Sequence, residues 1–278
     1  MKFSYMLAPM EDVTDEAFRE LCFLHGADLT FTEMTRLSGL VRRNKSTWQK
    51  IAVRGEAPIQ IQLATQKEED LKRFLIDFEP PKGFRGINFN LGCPSPSFIQ
   101  QGLGCSLVRR VSKVARLVQM VQEKGYPSSI KMRLGLNLFE KKKKVYLNLI
   151  QGVPADFFIV HARSGSEHYE TKPDDSVYSE CVGTGKNIIA NGDIDSVEKV
   201  NLLKDVGVKG VMIARAAVRN PALFERLKGL KETDAETLKK EYLELLNKYP
   251  PGKNVYRDHV LKRLGQEKGT YAVETVMG

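Results

Sequence analysis

The chain alternates short β-rich runs with helical patterns along most of its length, and this alternation constrains the fold more than any other feature. Parallel strands need a long crossover, usually a helix, so a regular strand–helix alternation predicts a parallel α/β sheet. Eight strands in about 230 residues fit a closed (β/α)8 TIM barrel better than an open sheet. The predicted strands are Tyr5–Pro9, Leu29–Glu33, Pro58–Leu63, Gly86–Leu91, Ser129–Leu134, Phe157–His161, Asn187–Asn191 and Gly207–Ile213.

Helical patterns fill the segments between these strands, and two more follow the last strand. The predicted barrel helices are Asp15–His25, Lys67–Phe78, Leu107–Lys124, Leu138–Ile150, Asp195–Asp205 and Ala216–Leu227, while Arg36–Gly55 is too irregular to assign. After Gly229, Thr233–Tyr249 and Asn254–Thr275 read as helices separated by Pro250, Pro251 and Gly252, with no strand after them. The sequence therefore predicts a barrel domain over residues 1–229 and a small all-helical domain over residues 230–278.

The formal net charge of +9 indicates a polyanionic partner. Charge alone does not distinguish RNA from DNA or from a membrane surface. The densest basic run, Lys141 to Lys144, lies at the start of a predicted helix. It is explained equally well as a solvated helix face and as an RNA contact.

The four cysteines form no CxxC pair and have no spacing typical of a disulfide scaffold. We therefore predict free thiols, no metal site and a reducing, cytoplasmic environment. No apolar run approaches the roughly 20 residues of a membrane span, and the N-terminal segment has no signal-peptide pattern. The sequence gives no indication of an obligate protein partner.

Polar side chains share the inward face of several predicted strands. In a barrel, alternate strand residues point inward, and the carboxyl ends of the strands form the site. Apolar residues occupy the opposite parity and face the helices. Several strands that converge on amides, cations and a histidine predict a site for a large polar ligand, and hence an enzyme. The inward set is Gln60, Gln62, Asn88, Asn90, Lys131, Arg133, His161, Arg163 and Asn191.

The loops after the seventh and eighth predicted strands have features of a phosphate site. Loops in these positions commonly hold a phosphate in this fold. Gly192 allows close approach of the backbone, and Arg215 supplies a charged donor. Ordinary turn glycines explain the pattern equally well.

Seven stretches in order resemble the tRNA-dihydrouridine synthase family, whose members are FMN-dependent barrels that reduce uridine in tRNA. The resemblance extends over about residues 5 to 225, and the NxNxGCP and HAR motifs are its most specific parts. One departure is Ala214, where the family usually has glycine. The stretches are APMEDVTDEAFREL from Ala8, NFNLGCPSP from Asn88, GLGCSLV from Gly102, IKMRLG from Ile130, VHARS from Val160, ANGDI from Ala190 and VMIARAAVRNP from Val211.

The resemblance implies a flavin site at the barrel mouth. Gln62 would hydrogen-bond the isoalloxazine ring, Lys131 would lie near its electron-accepting edge, and His161 would help to hold the cofactor. The remaining implied contacts are Pro9, Met10 and Glu11 along the flavin border, and Asn191, Gly192, Asp193, Ala214 and Arg215 around the ribityl chain and phosphate.

The resemblance also assigns Cys93 as the general acid that protonates C5 of uracil after a hydride reaches C6. A thiol with an ordinary pKa of about 8.5 is mostly protonated at neutral pH and gives up its proton readily. The loop from Pro94 to Leu103 would close over the base, with NADPH as the reductant. The implied substrate contacts are Asn90, Arg163 and, in the helical tRNA-binding domain, Arg257.

Two other functions are compatible with parts of the pattern. One is a flavin barrel that reduces a free small molecule, although such an enzyme needs neither the charge excess nor the helical tail. The other is a non-catalytic RNA-binding barrel, which would have no need for Cys93, Lys131 and His161 together.

Overall fold

A computed structural model describes residues 1–266, and within them nine strands form one all-parallel sheet. The order around the sheet is β1-β9-β8-β7-β6-β5-β4-β2, and β3 pairs with β4. The strands are β1 Ser4–Leu7, β2 Thr30–Phe31, β3 Thr35–Arg36, β4 Ile59–Ala64, β5 Phe84–Leu91, β6 Ser128–Arg133, β7 Phe157–His161, β8 Ile188–Asn191 and β9 Gly210–Ile213.

Backbone hydrogen bonds between β1 and the start of the second strand close the sheet. Leu7 N–H donates to Leu29 O at 2.9 Å, and Asp28 N–H donates to Tyr5 O at 2.7 Å. Because β2 and β3 both pair with β4, they occupy one position, and the sheet has eight positions around its circumference. The predicted (β/α)8 barrel is confirmed.

The second barrel strand is interrupted, which the sequence did not predict. Thr30 pairs with Ile59, and Thr35 pairs with Leu63. Over this stretch the second barrel strand therefore has one residue more than β4. In the gap, the Thr32 hydroxyl accepts the N–H of Gln62 at 2.9 Å. The interruption differs from the continuous strand predicted over Leu29–Glu33, and it places the buried Glu33 beside the barrel mouth.

Two of the predicted helices are divided in the structure, and the stretch that the sequence left unassigned also contains helices. The irregular stretch after Arg36 contains two helices, and the segment Leu138–Ile150 is divided at Lys144, whose φ of 53° is left-handed. The segment Ala216–Leu227 is divided before Pro221, since a residue that precedes proline avoids the helical region. The barrel helices are α1 Glu16–Leu24, α2 Leu37–Val41, α3 Lys45–Ile51, α4 Glu68–Asp77, α5 Pro96–Gln100, α6 Val111–Glu123, α7 Leu138–Lys142, α8 Val145–Gly152, α9 Val177–Gly183, α10 Val197–Val206, α11 Arg215–Arg219 and α12 Leu223–Leu227, with a 3₁₀ helix at Gly104–Leu107.

Two apolar layers stabilise the barrel. The outward strand residues, such as Ile61, Phe89 and Ile130, pack against the helices in the main core, as the alternation predicts. Apolar residues also fill one side of the barrel interior, and the other side is left to polar groups. The interior apolar cluster is Met6, Ala8, Phe31, Phe157, Ile159, Ile189 and Met212.

The C-terminal helices α13 (Ala235–Lys248) and α14 (Asn254–Leu261) pack against the barrel beside α1. Tyr242 of α13 is fully buried, with its ring edge-on to Phe18 at 6.4 Å. The ring nitrogens of His25 contact carboxylates of Glu225 at 2.8 Å and Glu241 at 2.6 Å. The helix predicted over Asn254–Thr275 ends earlier, and residues 267–275 of that prediction lie outside the described residues. None of the helices within residues 1–266 is long and apolar enough to span a membrane.

Candidate active site

A ladder of side-chain hydrogen bonds crosses the polar side of the barrel interior. Ser129 Oγ donates to Gln60 Oε1 at 2.5 Å, and Asn88 Nδ2 donates to Ser129 Oγ at 2.7 Å. Gln62 Nε2 donates to Asn88 Oδ1 at 2.7 Å. All four side chains are at most 1% exposed, so these mutual bonds replace the water that the polar groups lost on folding. The inward parity predicted for these side chains is confirmed.

Asn90 connects this ladder to the turn that carries Cys93. Its Nδ2 donates to Gln62 Oε1 at 3.0 Å, and its Oδ1 accepts the backbone N–H groups of Gly92 at 3.2 Å and Cys93 at 3.0 Å. Within residues 1–266 the amide nitrogens of Gln62 and Asn90 each make one hydrogen bond, which leaves a second N–H on each for a ligand. Asn90 thus sets the turn geometry at the mouth of the barrel.

A second segment holds the Cys93 turn from the other side. Cys105 N–H donates to Cys93 O at 3.0 Å, and the Cys105 thiol donates to Gly92 O at 3.1 Å. Gly104 has φ +59°, and a Cβ on it would collide with the carbonyl oxygen of Cys93, so only glycine fits. The Cys93 thiol is partly buried, and this burial raises its pKa. The thiol is therefore protonated at neutral pH.

The loop between Cys93 and Cys105 lies across part of the mouth. Phe98 and Leu103 are buried and pack with Cys93, Met34 and Ala64. Arg36 fixes this loop from the neighbouring strand: its guanidinium donates to side chains of the loop and lies 4.3 Å from the Phe98 ring centroid. The half-buried Arg36 thus holds the loop down together with Gln66, whose Nε2 donates to Gln101 O at 2.5 Å.

A cation without an anionic partner in the described residues lies on the strand next to Asn90. Lys131 of β6 is the register partner of Asn90. Within residues 1–266 its ammonium makes no hydrogen bond or ion pair. Burial, together with the nearby charge of Arg133, lowers its pKa from 10.5 to about 8. At neutral pH the group still carries its charge, so the site offers an unneutralised positive charge to a ligand.

His161 lies at the end of β7 and is held as the neutral tautomer. Its pKa is lowered well below the usual value by burial and by the nearby cations of Lys131, Arg133 and Arg163. Because the Arg163 guanidinium donates to Nε2 at 3.0 Å, the proton of the neutral ring is on Nδ1. The ring can therefore donate one hydrogen bond and carries no charge.

Arg163 is fully buried behind His161. Its guanidinium also donates to Thr171 O at 2.6 Å, Tyr169 O at 3.0 Å and Asp193 Oδ2 at 2.5 Å. These bonds are all made with the protein's own groups. The burial argues against the direct substrate contact that the sequence suggested, and it fits a residue that orients His161 and Asp193.

Asp193 and Arg215 form the rim on the far side. Asp193 has φ +48° and bridges Arg163 to Arg215, whose guanidinium lies 2.5 Å from Asp193 Oδ1. Gly192 has φ +125°, and a Cβ there would lie 3.0 Å from His161 Cδ2. Ala214 has φ −117°, outside the left-handed region that favours glycine. About a third of the Arg215 side chain is exposed, which leaves its remaining donors available to an anion.

The other predicted contacts lie on the loop after β1 and on α14. Met10 is buried, and the Glu11 carboxylate is exposed, 3.3 Å from Lys50 Nζ. Asn191 is buried, and its Nδ2 donates to Met212 O at 2.9 Å. Arg257 is exposed on α14. The structure therefore gathers the predicted cofactor residues around one mouth and leaves Arg257 on the adjacent helical surface. Pro9 adjoins Met10 in the same loop.

The sequence did not identify three residues that lie at the mouth, namely Tyr169, Glu33 and Tyr256. Tyr169 stacks on His161 with ring centroids 6.1 Å apart, and its ring lies 4.5 Å from Arg215 Cζ. Glu33 is 2% exposed and accepts the Tyr256 hydroxyl at 2.5 Å. Tyr169 follows the HAR motif within a loop, where alternation gives no signal.

Within residues 1–266, no cluster of three or more His, Cys, Asp or Glu residues could hold a metal ion.

The comparisons with known proteins show the family to which the chain belongs. Residues 6–272 match the sequence model of the dihydrouridine synthase (Dus) family. The chain is 31% identical over 235 residues to the probable tRNA-dihydrouridine synthase of Helicobacter pylori, covering 80% of this chain and 69% of that protein. It is 31% identical over 257 residues to the probable tRNA-dihydrouridine synthase 2 of Bacillus subtilis, covering 87% and 75%.

Among solved structures, a morphinone reductase variant in complex with tetrahydroNAD shares the fold. Its TM-score is 0.52 at 13% sequence identity, and the superposition covers 84% of this chain and 90% of that one. At this level of identity the likeness concerns the barrel alone.

Proposed function

Because the chain belongs to the dihydrouridine synthase family, we propose that it reduces the C5=C6 bond of a specific uridine in tRNA, with FMN as cofactor and NADPH as reductant. The family consists of FMN-dependent oxidoreductases. The observation that carries the proposal is the thiol of Cys93, kept protonated by burial and fixed by Asn90 at a mouth where the neighbouring strand holds the unpaired cation Lys131.

The residues of the mouth fit the chemistry of FMN. Gln62 has a free N–H for a ring carbonyl, and Lys131 has a charge that no protein group neutralises. At the other end, Arg215 is a partly exposed donor beside Gly192, where a side chain would crowd His161. An elongated ligand with a polar ring at one end and a phosphate at the other matches this order of groups. Pro9, Met10, Glu11, Asn191, Asp193 and Ala214 would complete the enclosure.

The chain's own residues would control the protons and the charge. When bound, reduced FMN would supply the hydride that goes to C6 of the uracil ring. Cys93 would deliver its thiol proton to C5, which completes the addition of two hydrogens across the double bond. Lys131 would stabilise negative charge near the ring, and neutral His161 would donate from Nδ1 without adding a second cation.

The substrate uridine would have to leave the tRNA stack to reach this mouth. Within residues 1–266 one amide N–H of Asn90 has no acceptor, which suits a uracil carbonyl. The loop from Pro94 to Leu103 would cover the base and exclude water. The helices α13 and α14, with Arg257 exposed, would contact the tRNA backbone, and the net charge of +9 supports such a partner.

The test is a reduction assay on unmodified tRNA. The purified protein should show the absorbance of an oxidised flavin, and with NADPH it should form dihydrouridine in tRNA taken from cells that lack it. A protein that neither contains nor can be reconstituted with FMN would refute the proposal. If an enone or free uridine, but not tRNA, accelerates NADPH oxidation, a small-molecule reductase is the better description.

A further inference from the structure

An exposed apolar and basic patch lies on the rim of the barrel mouth beside the Cys93 loop. It consists of Leu138, Phe139 and Lys142 on α7, Lys143 directly after α7, and Arg110 before α6. The helix α7 begins directly after the carboxyl end of β6, and α6 begins after the carboxyl end of β5. Carboxyl ends of strands define the mouth, so both helix starts lie there.

Phe139 is the most unusual member of this patch. All 13 phenylalanines lie within residues 1–266, and Phe139 is the only one that is exposed. Its side chain is 68% exposed, and the adjacent Leu138 is 60% exposed. A single exposed apolar residue is ordinary, but two in sequence at the rim of a binding site indicate a contact surface.

The basic run next to Phe139 divides into two kinds of lysine. Lys141 pairs with Glu167 at 3.1 Å, and Lys144 pairs with Glu180 at 2.6 Å. Lys142 and Lys143 are exposed, and neither has an ion pair with any group in residues 1–266. The Lys143 ammonium lies 5.8 Å from the Phe139 ring centroid. Lys141 and Lys144 thus stabilise the fold through ion pairs. Lys142 and Lys143 present positive charge near the Phe139 ring, with no ion pair in the described residues.

We propose that this patch binds the tRNA strand next to the target uridine, with the Phe139 ring stacked on a base and with Lys142, Lys143 and Arg110 on phosphates. The inference rests on the proposed function, since it takes tRNA as the substrate. A base that leaves the stack exposes the faces of its neighbours, and an aromatic ring at the mouth replaces the lost stacking. Free cations around the ring favour a polyanion.

The stacking role is tested by tRNA binding of Phe139 variants. Phe139→Ala should weaken tRNA binding about ten-fold, whereas Phe139→Trp should bind as tightly as the wild type because it keeps a ring. Ile76→Ala is the matched control, because Ile76 is 65% exposed near the end of α4, at the opposite end of the barrel. It should leave the dissociation constant unchanged. Flavin content and melting temperature of each variant report whether it has folded.

The charge role is tested by the salt dependence of the same binding. The double change Lys142→Gln with Lys143→Gln should lower the slope of log Kd against log salt by about 2. Lys124→Gln with Lys209→Gln removes the same charge from exposed lysines at the amino-end face and should leave the slope unchanged.

The outcomes separate this inference from the proposed function. If the wild type reduces tRNA and the Phe139→Ala and double-lysine variants bind tRNA as well as it does, the patch serves another partner, such as an acidic peptide, and the inference is wrong. If the wild type makes no dihydrouridine but Phe139→Ala still weakens tRNA binding, the RNA contact stands and the proposed reaction falls. If the wild type binds no tRNA, both the proposed function and this inference are wrong.

Discussion

The side-chain oxygen of Asn90 accepts the backbone N–H of Cys93 at 3.0 Å, and this bond ties the turn that carries Cys93 to the interior of the barrel. The same amide donates to Gln62, which belongs to the buried ladder. The position of Cys93 is thus determined by the strand that carries Asn90 together with the Cys105 segment that holds the turn from the other side. Sites supported in this way hold their geometry better than sites built on loops alone.

Replacing Asn90 should damage catalysis more than it damages stability. Asn90→Ala leaves the N–H groups of Gly92 and Cys93 without their acceptor, at a cost of about 1–3 kcal/mol in unfolding free energy. Asn88→Ala is the control, because Asn88 belongs to the ladder but does not touch the turn. Both variants should lose similar stability in urea unfolding, but only Asn90→Ala should lower kcat strongly. Equal kcat values for the two would show that the turn does not depend on Asn90.

Removing the Cys93 thiol should stop turnover without releasing flavin. Cys93→Ala loses the general acid, and kcat on tRNA should fall by about 10²- to 10⁴-fold. Cys181→Ala, which removes a buried thiol on α9, should retain turnover. Because burial raises the pKa of Cys93, the part of the alkaline fall in wild-type kcat that comes from this thiol should lie above the ordinary cysteine pKa, and so above the pH of about 8 at which Lys131 loses its charge. If Cys93→Ala shows the same alkaline fall, the titrating group is a different one.

Lys131 should lower the stability of the flavin-free protein. Its pKa of about 8 in the fold lies below the unfolded value of 10.5, so the unfolded chain holds more protons between these pH values. Burying the charge therefore costs stability below pH 8, and this cost disappears as the pH rises to about 10.5. Lys131→Met should raise the unfolding free energy of the flavin-free protein at pH 7 by about 1–3 kcal/mol and should slow turnover. A gain that persists unchanged at pH 10.5 would contradict the electrostatic explanation.

The hydroxyl of Tyr256 should anchor the C-terminal helices to the barrel mouth. It donates to buried Glu33, whose other oxygen accepts the N–H of Asp12 at 2.6 Å. Tyr256→Phe should cost about 1–3 kcal/mol in unfolding free energy and raise KM for tRNA. Tyr242→Phe is the control, since the Tyr242 hydroxyl is buried without a hydrogen-bond partner within residues 1–266, and its removal should cost nothing. Equal losses from the two changes would mean that the bond to Glu33 is not the anchor.

Arg163 should act on the flavin through His161 and Asp193. Lysine cannot reproduce the fork that contacts both of them and two carbonyls, so Arg163→Lys should weaken FMN binding, measured by fluorescence titration. The KM for tRNA, measured with saturating FMN, should change little. The opposite pattern, with intact FMN binding and a higher KM, would support the direct substrate contact that the sequence suggested.

The barrel and the polar side of its interior could be predicted from residue order. Alternation with a period of two decides which strand side chains face inward, and so Gln62, Asn88 and Asn90 were recognisable before their partners were known. The predicted ends of strands were less accurate where a side chain takes the place of a backbone hydrogen-bond partner. In the interrupted second strand, the Thr32 hydroxyl accepts the N–H of Gln62 in this way. Left-handed Lys144 likewise divides a helix that its sequence pattern treats as continuous.

The sequence by itself thus determined the fold class and placed Cys93 at a strand end, because both follow from local periodicity and motif spacing. Only the tertiary structure decided which side chains bind to one another. Tyr256 donates to Glu33, which is 223 residues away in the sequence. Buried Arg163 is surrounded by groups from its own loop and from a neighbouring loop. Such contacts depend on how separate elements pack, which no local pattern encodes. The same packing decided that Lys141 and Lys144 are paired and that Lys142 and Lys143 are free.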